Sequence, residues 1–322
     1  MTRLPRPDGF VLAMLSAVLL ASLYPHLGAS DGPLHLDAIT TAGVSLVFLL
    51  AGMGLSTEHM RAGAANWRLH LTIQTSTFVL FPVIGFIVTA LCRPLLPHEL
   101  LTGFFFLCAL PSTISTSIAM TSLARGNVAG AIFNATLSSL LGMVLTPVLM
   151  GLWLSSAGHG TSLIDQLKAI AAELLLPFAA GQLLHPWLGR WITRNKQITS
   201  KVDRAVIVLI VYASFCDAAQ RGLWRDYGWQ TLLEVLAFTI LMLGLVLSIT
   251  RSVARRMNFS IEDEIAAVFC GSKKSLATGV PMAKLLFSGS SLGLILLPIM
   301  FYHQLQLLVC SVIAKRYQRR EA

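Results

Sequence analysis

Charge is scarce in this sequence. Asp, Glu, Lys and Arg make up 12% of the 322 residues, about half the share of a soluble domain, so a fully solvated globular surface is excluded. Acidic residues are rarer than basic ones, 15 against 24, which leaves a net charge of +9. The signatures of enzyme chemistry are missing too. There is no H-E-x-x-H, no P-loop and no G-x-G-x-x-G after a strand. An intramembrane protease needs a nucleophile beside a base, or two facing aspartates, and His303 with scattered serines supplies neither. The five cysteines (Cys92, Cys108, Cys216, Cys270 and Cys310) show no metal spacing and no disulfide framework. Each falls in or beside an apolar run, where a thiol behaves as a small buried apolar side chain. Low-complexity tracts and a separate soluble domain are absent, and no period-two alternation points to a barrel.

What is present is apolar length. Hydrophobic residues reach 55% and the mean hydropathy is +0.72. Runs of about 20 residues, enough to cross a bilayer as helices, recur from end to end. The fold class expected is all-α and polytopic, one transmembrane domain over 1–322. Ten spans are read at roughly 9–27, 36–55, 69–92, 99–121, 127–153, 164–187, 203–220, 229–250, 261–286 and 291–314. The first resembles a signal peptide behind Arg3 and Arg6, but it runs on to Leu27 without an A-x-A site and reads as a retained span. Shifting the first five starts by 162 lands close to the last five. Trp67 and Trp229 share that offset. Two repeats follow, about 9–153 and 164–314, and five spans each inverts the second relative to the first. A polar segment at about 188–202 reads as a cytoplasmic linker between spans six and seven. With an even number of spans, 17 of the 24 basic residues fall on the side of the two termini, which the positive-inside rule assigns to the cytoplasm. The net charge is thereby explained by a membrane face, with lipid and no nucleic acid as partner. The expected location is a bacterial inner membrane.

Two spans carry polar interruptions. In the fourth, Pro111-Ser112-Thr113 leads into Ser115, Thr116 and Ser117. Proline removes a donor and clashes with the preceding turn, and the freed carbonyls need partners in a medium without water. Five hydroxyls in six residues exceed what a kink requires, so this gap reads as the lining of a site. In the ninth, Cys270-Gly271-Ser272-Lys273-Lys274-Ser275 breaks the run. Ser260 and Asp263 suggest a capping box at its start. Lys273, twelve residues past Ile261, lies about 18 Å deep, beyond the midpoint of a core about 30 Å thick. A central lysine costs on the order of 2.5–3.5 kcal/mol on insertion scales, so water, an anion or a carboxylate must meet the pair. Glu173 is a candidate carboxylate, provided helices six and nine face each other. It equally suits a separate water-filled crevice. The gaps lie 162 positions apart (108 to 270), and interrupted helices at matching places in two halves mark a transporter's binding site.

Polar residues also fall in spans three, five and ten: Gln74, then Asn134, Thr136 and Ser138, then His303, Gln304 and Gln306. Interhelical hydrogen bonding accounts for them as well as a ligand does.

Several phrases look familiar. They are Asn66-Trp67-Arg68-Leu-His70, Leu110-Pro111-Ser112-Thr113, Phe133-Asn134-Ala-Thr136-Leu-Ser138, Asp263-Glu264-Ile-Ala, Phe269-Cys270-Gly271-Ser272-Lys273-Lys274-Ser275 and Tyr302-His303-Gln304-Leu-Gln306. In order and over almost the whole chain, they resemble the bile acid:sodium symporter superfamily, in its SBF-like branch. The resemblance implies a core of spans 3–5 and 8–10, with helices four and nine crossing at their breaks. Spans 1, 2, 6 and 7 would form a panel, and solute would sit in the crevice between. In sodium-coupled members, a helix-nine glutamate works with hydroxyl and amide groups. Ser112, Thr113, Asn134 and Ser138 are similar to those groups, while Phe269 or Cys270 stands near the glutamate's place. Lys273 and Lys274 occupy the break, where an ammonium would replace bound sodium, neutralise an organic anion or exchange a proton. Na⁺ and H⁺ both remain as coupling ions, and no other cofactor is implied. The leading expectation is a secondary transporter of a small organic anion, with alternating access. A regulatory protein of cation homeostasis and a passive channel compete with it. The candidate site is Pro111, Ser112, Thr113, Ser115, Thr116, Asn134, Ser138, Lys273, Lys274, Ser275, His303, Gln304, Gln74 and Glu173.

Overall fold

A computed structural model describes residues 9–54, 66–93, 95–156, 171–222, 225, 227–287 and 292–320. Among these residues the ordered elements are helical and no strand occurs. In chain order they are α1 (Gly9–Leu23), α2 (Leu36–Gly54), α3 (Trp67–Cys92), α4 (His98–Ala109), α5 (Ser115–Leu123) and α6 (Val128–Ser156). Then come α7 (Leu176–Arg194), α8 (Lys196–Gln220), α9 (Trp229–Arg256), α10 (Ile261–Ser272), α11 (Leu276–Leu286) and α12 (Leu292–Gln318). A π-helical turn, Ser76–Leu80, interrupts α3, and another, Ala171–Leu175, leads into α7.

Five helices, α2, α3, α6, α9 and α12, are long and apolar enough to cross a membrane. The chain is an all-helical membrane protein. α4 and α10 have 12 residues each, about 18 Å of rise, and each resumes after a break as α5 or α11. These two are the most enclosed elements. Every residue from Leu100 to Ala109 and from Glu264 to Ser272 is buried, as expected for helices surrounded by other helices. The outer helices are one-sided. α1 buries Met14, Ala17 and Ala21, a stripe at helical spacing, and exposes Leu15, Leu19 and Leu23. Together with exposed Leu91, Leu183 and Trp187, such apolar surface is far more than a soluble monomer shows and suits lipid.

Three boundaries differ from the sequence reading. α1 stops at Leu23, and the chain turns at Tyr24 ahead of Pro25–Gly28, because proline starts a new turn more readily than it continues one. The polar segment 188–202 is helical rather than an open linker. α7 runs to Arg194, α8 starts at Lys196, and only Asn195 lies between them. Its charged residues are the ends of two helices. Of the charge count, Arg3, Arg6, Arg61 and Lys168 lie outside the described residues, as do residues 164–170 of the sixth span and the outermost positions 55 and 291 of the second and tenth. All five cysteines are buried and unpaired.

Glycine lets α2 and α7 touch through their backbones. A Cβ on Gly52 would stand 2.2 Å from the Phe178 carbonyl oxygen, and one on Gly181 would stand 2.2 Å from that of Leu49. α7 also completes the end of α2. Gln182 Nε2 donates to the Gly52 carbonyl at 2.6 Å, and His185 Nδ1 lies 2.7 Å from that of Met53, so two terminal acceptors find partners.

A second cluster ties three helix N-termini together. Ser260 caps α10 by accepting from the Asp263 amide at 3.2 Å, the first half of the expected capping box. Asp263 does not reciprocate. Its two oxygens accept from Asn66 Nδ2 and Asn127 Nδ2, each at 2.7 Å. Asn66 Oδ1 in turn accepts from Leu69 at the start of α3, and Asn127 Oδ1 from Gly130 at the start of α6. One carboxylate thus fixes two capping residues against a third helix start, where negative charge is favoured. Next to it, Glu264 takes Arg251 at 3.3 Å, Arg255 at 3.1 Å and the Tyr317 hydroxyl at 2.7 Å. Asp263→Ala should cost about 2 kcal/mol, since it removes two hydrogen bonds to a charged acceptor. Glu262→Ala loses one half-exposed pair with Arg320 and should cost under about 1 kcal/mol. Thermal denaturation of the two purified variants in detergent checks the ranking.

Candidate functional site

The two breaks meet. The Ser275 amide of the second donates to the Pro111 carbonyl of the first at 3.0 Å. Around that contact lie the cut ends of α4 and α10, whose last carbonyls have no helical partner. Nearly all of them can be followed to a donor. At the end of α10, the Phe269 carbonyl accepts from Ser117 Oγ, Cys270 from Ser112 Oγ, Gly271 from Ser76 Oγ and Ser272 from the Tyr302 hydroxyl. At the end of α4, Ala109 accepts from Thr146 Oγ1 at 2.8 Å. Cys108 and Leu110 accept from the Lys274 ammonium at 2.8 and 2.6 Å.

The third donor of that ammonium goes to the Thr77 carbonyl at 3.0 Å. The reason lies in α3. Inside the π-helical turn the Phe81 amide bonds to Ser76 rather than to Thr77. The next candidate donor is Pro82, which has none. Thr77 therefore has a free carbonyl in mid-helix, and Lys274 takes it. An ammonium has three donors and no acceptor, so Lys274 is saturated. It also lies 4.1 Å from the centroid of the Phe81 ring, a favourable cation–π contact. Its own backbone is held by Gln306, whose Oε1 accepts from the Lys274 amide and whose Nε2 donates to the Lys274 carbonyl, both at 2.9 Å.

Lys273 is as deeply buried, with no exposed surface, but among the described residues makes a single side-chain hydrogen bond, to the Thr116 carbonyl at 2.8 Å. The Phe269 ring lies 5.3 Å away. Glu173 meets neither ammonium. It is exposed, and the acceptors of both lysines are main-chain oxygens. The expected carboxylate partner is therefore replaced by main-chain carbonyls, two of which, Cys108 and Leu110, lie at the C-terminal end of α4, where partial negative charge suits a cation.

The candidate sodium ligands fall into separate hydrogen-bonded sets. Ser112 donates through its amide to Ser138 Oγ at 2.9 Å as well as through Oγ to Cys270. Asn134 Nδ2 donates to the Gly130 carbonyl and faces His70 Nδ1, both at 2.9 Å, while Gln74 Nε2 reaches Asn134 Oδ1 at 3.2 Å. Thr113 Oγ1 accepts from Thr116 Oγ1 at 3.2 Å. His303 is buried against Gln306 Nε2 at 3.0 Å. Gln304 is half-buried. Gln74, Asn134 and Ser138 thus act first as links between segments, Gln306 ties α12 to the break at Lys274, and His303 and Gln306 meet within α12.

The N-terminal ends of the broken helices behave differently. Both open on a cavity of about 210 Å³. Thr113, Ile114 and Ser115 line it at the start of α5, and Ser275, Ala277 and Thr278 at the start of α11. Thr136, Ser139, Leu140 and Met143 of α6 form its floor. The opposite wall is Val47, Phe48 and Ala51 of α2, Phe178 of α7 and Asp203 of α8. Ser275 Oγ caps α11 by accepting from the Thr278 amide at 3.1 Å. No side chain caps α5. Gly142 of α6 lets the break approach, since a Cβ there would stand 2.6 Å from the Pro111 side chain.

Asp203 was missed by the sequence reading. Its Oδ1 is shielded from solvent without a hydrogen-bond partner among the described residues. It sits in the polar first third of α8, among Lys201 and Arg204, where it reads as one more surface charge. Pro82 is the other missed signal, a proline five positions after Thr77 in a continuous apolar helix.

The model of the SBF-like CPA transporter family (DUF4137) matches residues 8–319. This chain belongs to that family. Relatives in the family include "Uncharacterized protein PA2026" of Pseudomonas aeruginosa, 47% identical over 98% of this chain and 94% of the relative. The "Putative symporter YfeH" of Escherichia coli is 45% identical over 97% and 93%. "Sodium/bile acid cotransporter 7" of Danio rerio is 31% identical over 96% and 93%. The family is one of transporters, and the chain is a transporter-family membrane protein rather than an enzyme.

Replacing Lys274 with Met keeps most of the volume but leaves three buried carbonyls unpaired, at about 1–3 kcal/mol each. Lys273→Met strands none, because the Thr116 carbonyl lies in the first turn of α5 and keeps its helical donor. In detergent, Lys274→Met should lose the folded state or melt far lower, and Lys273→Met should melt much closer to wild type. Equal melting of both would refute the saturated-ammonium geometry.

Proposed function

We propose that this protein is a secondary active transporter, symporter-like and working by alternating access, for a small organic anion across a bacterial inner membrane. The single observation that carries this is the arrangement of the four half-helices. The C-terminal end of α4 is closed by Lys274 and a hydroxyl and that of α10 by hydroxyls, and both N-terminal ends face one cavity. Paired half-helix N-termini pointing at an anionic group is a recurrent transporter device, and positive helix ends with free amides favour anions. At about 210 Å³ the cavity lies below the about 300–1,000 Å³ typical of drug-sized ligands, so the solute is small. The anion is then recognised by helix ends and hydroxyls rather than by the two lysines, which are turned to main-chain oxygens.

The architecture proposed is ten spans in two inverted repeats. Its support is an offset of 162 between element starts. Trp229 follows Trp67 by that number, and α8, α10 and α11 each begin within two residues of the shifted start of α2, α4 or α5. The cavity lies between α2, α7 and α8 on one side and the crossed helices with α6 on the other. That division matches a panel rocking against a core, with both termini cytoplasmic. Lys274 stands where a tethered ammonium serves the crossing in place of a bound sodium ion.

Uptake into proteoliposomes tests the reading. Short aliphatic carboxylates should accumulate against their gradient, and Ser139→Leu, which fills the floor of the cavity, should abolish uptake while changing the melting temperature little. Equilibration without accumulation would indicate a channel, and binding without movement a regulator; either result rejects the proposal.

A further inference from the structure

We propose that Asp203 is the proton-binding group of this transporter, ionised while the cavity is empty and protonated while an organic anion occupies it. The inference rests on the anion reading above and adds the identity of the coupling ion and its carrier.

Among the described residues that line the cavity, Asp203 is the only titratable side chain. It faces the two helix N-termini from the opposite wall, and its Oδ1 is shielded without a partner among the described residues. A carboxylate inside a membrane protein is retained for function by default. Charged and titratable groups on the neighbouring elements are directed elsewhere. Lys284 of α11 pairs with Asp37 of α2. His185 of α7 lies against the Met53 carbonyl. On α12, Tyr302 donates to Ser272 and His303 meets Gln306. On α8 itself, Lys201 is exposed, and Arg204 lies over the Phe10 ring of α1 at 5.5 Å. None of these lines the cavity.

The charge balance follows. In the empty cavity the Asp203 carboxylate is the counter-charge for two positive helix ends. An arriving anion takes over that role, and two like charges in one small cavity disfavour each other. The anion therefore binds together with one proton on Asp203, and by reciprocity the proton favours the anion. One anion and one proton cross together and no net charge is left behind. A proton needs only one carboxylate oxygen, and Asp203 is the carboxylate on the cavity wall.

Two measurements decide it, made on wild type, Asp203→Asn and Asp203→Glu in proteoliposomes. The first uses no solute. Infrared difference spectra on acidification should show a protonated-carboxyl band that is absent in Asp203→Asn and shifted in Asp203→Glu. The second uses radiolabelled short mono- and dicarboxylates. Wild-type affinity should fall about tenfold per pH unit above the titration of Asp203, and an inward proton gradient should drive accumulation. In Asp203→Asn affinity should be flat with pH and accumulation lost, while exchange of labelled for unlabelled solute persists. Asp203→Glu should restore the pH dependence, which separates titration from misfolding. Identical infrared spectra for wild type and Asp203→Asn, proton-driven accumulation that survives in Asp203→Asn, or a requirement for sodium would overturn the assignment. If the band is lost as expected but no carboxylate moves in wild type, the proton site stands and the anion reading falls.

Discussion

A backbone carbonyl in a bilayer has no water to turn to. The structure depends on how that constraint is met where α4 and α10 stop short. Lys274 resolves it by placing one ammonium against carbonyls from two chain segments far apart in sequence, Thr77 on one and Cys108 with Leu110 on the other. Hydroxyls serve the remaining ends one for one, from Ser76, Ser112, Ser117, Thr146 and Tyr302. Removing a buried charge together with its partners is often harmless, whereas stranding the partners is not. Lys274 therefore belongs to the scaffold, although its chemistry first suggests a ligand contact.

The same accounting separates the two polarities of the broken helices. Negative ends are buried and neutralised from within the protein. Positive ends are left to the cavity, one capped by Ser275 and one with no side-chain cap. A site made this way gathers its field from main-chain dipoles, which are fixed by the fold and need no reorganisation when a ligand arrives. Asp203 lies on the facing wall.

Much of this was legible in the residues. Pro111 with its run of hydroxyls, and two lysines beside Gly271, announce helix breaks because each violates a local rule of apolar helices. Ser260 announces a helix start. What the chain could not announce is which freed carbonyl each donor would meet. Glu173 was the natural partner for a buried lysine in one dimension, since carboxylates pair with ammonium groups. In three dimensions the carbonyls at the α4 terminus and at Thr77 were nearer and already in need. Asp203 was hidden for the opposite reason. Near Lys201 and Arg204 it looks like an ordinary helix end, and only the packing of α8 beside α2 and α7 turns it toward the cavity.

The glycine seam between α2 and α7 has a further effect. At Gly52 and Gly181 the two main chains are so close that a single added carbon would collide with an oxygen at 2.2 Å. Val47, Phe48, Ala51 and Phe178, which line the cavity, all project from within about a turn and a half of that seam. They are mounted on a joint with no slack, so this wall cannot swell around a bulkier guest. The position of this wall is then set by main-chain contact rather than by the side chains that line the cavity.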